Sequence, residues 1–167
     1  TGSGAAPAPM PEPMPAAKPA PLIRATGKET VSFALDVVPI LMDRCNECHG
    51  GNNPSGNLSL ATFTQLLRGG DSGAIVGKAD PEETLLIKKL RGTAGQRMPL
   101  NRPPLSDSQI TLLATWIREG SKFDGPDPGE MISRTSAVVR AERATSEELS
   151  AIRADLAAQN WHLALPD

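Results

Sequence analysis

The sequence predicts an all-α protein. Three observations carry that reading: apolar stripes at helical spacing, paired start and stop signals around them, and no convincing run that alternates with period two. The chain has 167 residues, which suits one domain of ordinary size with extensions and excludes large multidomain enzymes. We expect an extended arm over residues 1–30, a folded unit over 31–125, and a polar C-terminal extension over 126–167.

Each element follows from local signals. Residues 1–22 hold seven of the 16 prolines, so that stretch is expected to be extended, close to polyproline II. Asp36 is a candidate cap for a helix through Val37–Arg44, with Pro39 tolerated in its first turn. That helix runs into Cys45-Asn46-Glu47-Cys48-His49, and the Gly/Asn/Pro-rich residues 50–57 read as a loop. Leu60–Leu67 reads as a short helix stopped by Gly69 and Gly70.

Asp80-Pro81-Glu82-Glu83 predicts the start of a helix through Leu90, because it combines a cap, a first-turn proline and acids at the positive end of the dipole. Residues 92–105 are a Gly/Pro-rich loop. Ser106 and Gln109 form a capping box for a helix to Glu119, with Ile110, Leu113, Ala114 and Ile117 as one stripe and Trp116 at its edge. A last amphipathic helix is expected over Ser146–Gln159, opened by Thr145 and Glu148 and striped by Leu149, Ile152 and Leu156.

Composition removes some function classes. A net charge of −2 gives no global reason to expect nucleic acid, and the basic residues are not interleaved with aromatics. The longest apolar run, Val37–Met42, is far below the ~20 residues a membrane helix needs. The first residues lack the charged and apolar regions of a signal peptide, so an exported protein would be present in processed form. Aromatic residues are scarce, with no Tyr, which suggests that something else helps to fill the interior.

C-x-x-C-H is the attachment signature of a c-type haem. Two thiols three positions apart reach both vinyl groups on one porphyrin edge, and the adjacent His49 is placed under the iron. The rivals are weaker. Zinc needs four ligands, and beyond the motif only His162 is left, at the wrong spacing. A thioredoxin-type dithiol needs a preceding strand, and a disulfide here would close too short a loop to stabilise much.

A sixth ligand is expected from Met98, in the Gly/Pro loop 49 residues after His49 and restrained by Pro99. The other methionines lie in the arm (Met10, Met14), in the motif helix (Met42) and in the polar tail (Met131). His162 is the alternative distal ligand. Leu86, Leu90, Leu100, Leu113 and Trp116 are the expected pocket wall, the haem itself supplying the missing flat apolar surface.

These features together resemble class I cytochrome c, and more narrowly the planctomycete-type cytochrome c domain. The resemblance rests on Asp36-Val37-Val38-Pro39-Ile40-Leu41 before the motif, Gly56-x-Leu58-x-Leu60, Leu67-Arg68-Gly69-Gly70, and residues 92–99 (GTAGQRMP). Pro103-Pro104-Leu105-Ser106 leading to Trp116-Ile117-x-x-Gly120 completes it, over about residues 33–125. It implies class I cytochrome c-like helices around one covalent haem c, His49/Met98 ligation, and one-electron transfer without substrate chemistry.

Five bases without an intervening acid bracket Met98: Lys88, Lys89, Arg91, Arg97 and Arg102. They are candidates for docking an acidic redox partner. Haem c is attached outside the cytoplasm, so a periplasmic or other extracytoplasmic location is expected. Two further possibilities stay open: a haem-bearing subunit of a larger membrane-associated complex docked through residues 1–22 and the tail, and a gas- or peroxide-binding haem with an open distal side.

Overall fold

The computed structural model describes residues 18–160. The arm before residue 18, with Met10 and Met14, and the terminal residues with Trp161 and His162 lie outside the described residues.

Helices dominate, and among the described residues the only β pairing is three isolated bridges. A π-helical turn, Phe33–Val37, leads into α1 (Val38–Arg44), followed by α2 (Asn46–His49), α3 (Phe63–Arg68), α4 (Leu85–Arg91), α5 (Asp107–Arg118) and α6 (Ile132–Asn160). Short 3₁₀ turns stand at Ser55–Asn57 and Pro81–Glu83.

Several boundaries differ from the sequence expectation. The first helical segment starts at Phe33, because Ser32 is its cap: Ser32 Oγ accepts from Leu35 N–H, and Asp36 accepts from Ser32 N–H. Asp36 is thus the reciprocal partner of a cap rather than the cap. α3 begins at Phe63, three residues after the expected Leu60, with Thr62 accepting from Gln65 N–H. Asp80 caps only the 3₁₀ turn. Thr84 caps α4, its hydroxyl accepting from Ile87 N–H while donating to Pro81 O at 2.6 Å.

The last helix starts at Ile132, not Ser146. Thr145 donates its hydroxyl to Ala141 O, so it is an interior residue and not a cap. Its first turns were hidden in the sequence because the buried residues, Ile132, Thr135 and Val139, include only two apolar side chains, too few to make a visible stripe. The Ser106–Gln109 capping box stands as expected.

The core is aromatic and compact. Phe33 and Phe63 meet edge-on with centroids 4.6 Å apart, Phe63 stacks on Phe123 at 4.6 Å, and Trp116 lies 5.4 Å from Phe33. All four are at most 1% exposed. Trp116 Nε1–H donates to Lys122 O at 2.8 Å, so the indole is fully satisfied inside the core.

Segments on both sides of 31–125 pack onto that core. Residues 18–30 form a strap: Ala20 N–H donates to Leu67 O, and Ile23 and Ala25 pair with Phe123 through backbone hydrogen bonds of 2.9 Å. Arg24 lies over the Phe123 ring and donates to Gly125 O at 2.6 Å. Thr30 and Val31 donate to the Glu119 carboxylate, and Lys122 pairs with Glu29. Hydrogen bonds from Thr30 hold the Glu119 carboxyl below its ordinary value, and the Lys122 ammonium does the same for Glu29.

Candidate functional site

A cavity of about 320 Å³ opens beside the aromatic core. That volume is in the range of small-molecule sites, and its wall is mainly aliphatic. The C-x-x-C-H residues form one bank. α1 ends at Arg44, the chain bends at Cys45 (φ −125°, ψ −30°), and one helical turn, α2, carries Cys48 and His49. The bend presents Cys45, Cys48 and His49 to one side, and all three line the cavity. Cys45 packs against the core; its burial pushes the thiol up to about 11, against the opposing pull of Arg44.

His49 is oriented by the loop that follows. Its Nδ1 lies 3.2 Å from Leu58 O. A carbonyl only accepts, so Nδ1 carries the proton and Nε2 keeps its lone pair for a metal. Leu60 N–H donates to His49 O at 2.8 Å, which closes the same loop on α2. A second loop braces the first: Asp71 N–H donates to Gly56 O at 2.9 Å, and a Cβ on Gly70 would lie 2.4 Å from the same oxygen, so no larger residue at 70 lets the two loops meet.

The opposite bank is α4 and the loop after it. Leu85, Leu86 and Leu90 face the cavity together with Ile75, whose carbonyl accepts from Leu86 N–H. Gly92 ends α4 in the left-handed region (φ 75°), turning the chain so that Met98 N–H returns to Lys89 O at 2.9 Å. Met98 is half-buried against the core and lines the cavity. Leu100 lines its rim and is 45% exposed.

Leu86, Leu90, Leu100 and Met98 are therefore brought together with the cysteine–histidine turn. Leu113 and Trp116 are not. The α5 stripe turns toward the π-helical turn and the other aromatics, so these two belong to the core and not to the cavity wall. Leu41, Leu58, Leu60 and Ile75 are wall residues that the pocket expectation missed. Leu58 and Leu60 had a signal, the alternation after Gly56. Ile75 sits in an irregular stretch without one.

Of the five bases, Lys89 and Arg102 reach the cavity rim, joined there by Arg44. Arg102 pairs with Glu47, and Arg91 pairs with Glu82 at 2.9 Å. Arg44 donates to Pro103 O at 2.7 Å, so both banks are tied across the rim.

The donor set fits a c-type haem. Two thiols and an imidazole with a free Nε2 stand on one bank, a thioether on the other, and leucines between them suit a porphyrin. Among the described residues no group of three or more His, Cys, Asp or Glu side chains converges as a zinc site would require. No described helix is long and apolar enough to cross a membrane.

The family comparison points the same way. Residues 45–100, about a third of the chain, match the family model of planctomycete cytochrome C. Among curated proteins none matches this chain. Among solved structures, hydrazine synthase from Kuenenia stuttgartiensis is similar over 59% of this chain at 26% identity, with a TM-score of 0.40; the likeness covers 17% of that chain. The matched segment begins at Cys45 and ends at Leu100, enclosing both banks of the cavity: residues 45–100 are a planctomycete-type cytochrome c domain.

Proposed function

We propose that the chain carries a single haem c and passes one electron at a time between extracytoplasmic redox proteins. The observation that supports this most is the facing of two banks across one apolar cavity, His49 with its Nδ1 already engaged on one and Met98 on the other. When bound, the haem supplies a reversible one-electron iron couple, whose potential a methionine ligand raises.

In this reading Cys45 and Cys48 anchor the porphyrin edge by thioethers. Leu58 O holds the His49 ring through Nδ1, which leaves Nε2 as the nitrogen that would bind the iron, and the Lys89 carbonyl holds the Met98 backbone. Leu86, Leu90 and Leu100 exclude water from the ring. With His49 and Met98 both holding the iron, the haem would supply one-electron transfer and leave no open position for substrate chemistry. Lys89 and Arg102 at the rim, with Lys88, Arg91 and Arg97 beside them, offer a face to an acidic partner, weakened where Glu47 and Glu82 already pair.

Replacing Met98 with Ala tests the assignment. The reduction potential should fall, the weak far-red sulfur-to-iron band should vanish, and carbon monoxide should bind the ferrous protein. An unchanged spectrum and potential would overturn Met98 as ligand, and carbon monoxide binding by the unaltered protein would favour an open distal side.

A further inference from the structure

We propose that the outer part of α6 is a self-association surface that pairs with the same helix of a second copy of this chain, in parallel. α6 uses two different faces. Ile132, Thr135 and Val139 are buried against the protein's own core. Met131, Val138, Leu149, Ile152 and Leu156 are 50, 36, 49, 49 and 54% exposed. At 100° per residue the four within the helix, Val138, Leu149, Ile152 and Leu156, fall on one stripe, rotated by about 100° from the core-facing residues, and Met131 stands just before it.

The stripe keeps a strict seven-residue register. Met131, Val138, Thr145 and Ile152 follow one another at intervals of seven, and so do Glu142, Leu149 and Leu156. The two series alternate at spacings of three and four, which is the a/d seam of a coiled coil, with the second series at a. Every large apolar side chain exposed on or just before this helix lies on that seam. A shallow depression runs along it, bounded by Ala141, Thr145 and Ser146 between Glu142 and Leu149, and small residues there leave room for a knob from a partner helix.

Charge favours a second copy. In this register Glu148 is at g and Arg153 at the following e, and both are exposed. In a parallel pair, g of one helix meets that e of the other, so identical chains make the Glu148–Arg153 contact twice. The two positions are five residues apart and are not neighbours on their own helix. Ile132 and Val139, at e, are covered by the protein's own body, so pairing runs outward from Glu142. That glutamate, at a, faces its own copy and keeps the association weak.

Sedimentation equilibrium of the full haem-loaded chain tests this, with the visible spectrum as a check that the domain is intact in every variant. The chain should show a concentration-dependent monomer–dimer equilibrium. Leu149→Asp should weaken it and Glu142→Leu tighten it, each by about tenfold or more. Glu148→Arg and Arg153→Glu should each weaken it, and the double exchange should restore it. A chain that is monomeric at every concentration overturns the proposal and leaves the seam to a helix of another protein. A dimer indifferent to Leu149→Asp, or a charge exchange without rescue, overturns it as well.

Discussion

The apolar interior has two regions, an aromatic cluster and a cavity, joined by aliphatic residues that serve both. One is a core in which Phe33, Phe63, Trp116 and Phe123 pack on one another with almost no exposure. The other is a cavity walled by leucines, an isoleucine and a methionine, several of them only half-buried. The four aromatics among the described residues are thus concentrated where the polypeptide must hold itself together. Aliphatic side chains form the wall where a flat guest is to be held. The aromatic side chains thus serve the fold alone, whereas Leu41, Leu60, Ile75 and Leu90 belong to the core and line the cavity as well.

The largest expected difference between the two regions is in truncation. Phe63→Ala should cost about 3–5 kcal/mol in urea unfolding, because it opens a void among side chains that cannot collapse. Leu86→Ala, in the cavity wall, should cost less than about 1.5 kcal/mol of fold stability, with its effect appearing in the reduction potential instead. Equal losses at the two sites would break the distinction.

The helix caps sharpen it. Thr84→Ala removes a buried hydroxyl that both caps α4 and donates to Pro81 O, and should cost about 1–2 kcal/mol. Ser106→Ala at α5 should cost about 0.5–1 kcal/mol, since the core also grips that helix. α4 bears the cavity wall, so only the first change should also move the potential.

The smallest effect is that of acid. Glu29 and Glu119 tie the strap to the core side, and both carboxyls are held below their ordinary value of 4.5. Folding therefore favours their charged forms. Their contribution is present above pH 4.5 and is lost as pH falls through the lower folded-state values. Glu119→Gln should flatten the acid limb of a stability–pH profile without altering the visible spectrum.

Much of the site was legible in the sequence because its chemistry is local. C-x-x-C-H needs only one helical turn, and Met98 stands out as a methionine in a Gly/Pro loop between charged residues. The capping box of α5 is equally local. What was not legible depends on which surface a helix meets. The α5 stripe announces that Leu113 faces inward, but not whether the neighbour is the cavity or an aromatic cluster. Asp80 and Thr84 both carry capping chemistry four residues apart, and burial of the Thr84 hydroxyl decides which one opens α4. The early turns of α6 show three inward residues against a polar surround, so periodicity gave no warning of them.

The bond from His49 to the Leu58 carbonyl has a consequence for how the protein can change. The group that fixes the ring is main chain, so no side-chain replacement at position 58 deletes it, and Leu58 is free to vary as a wall residue. Only a change in the course of the loop would withdraw the acceptor, such as a non-glycine residue at position 70, where two backbones nearly touch. The electronic character of the histidine is thus written into the path of the chain, and it is insulated from most point substitutions around it.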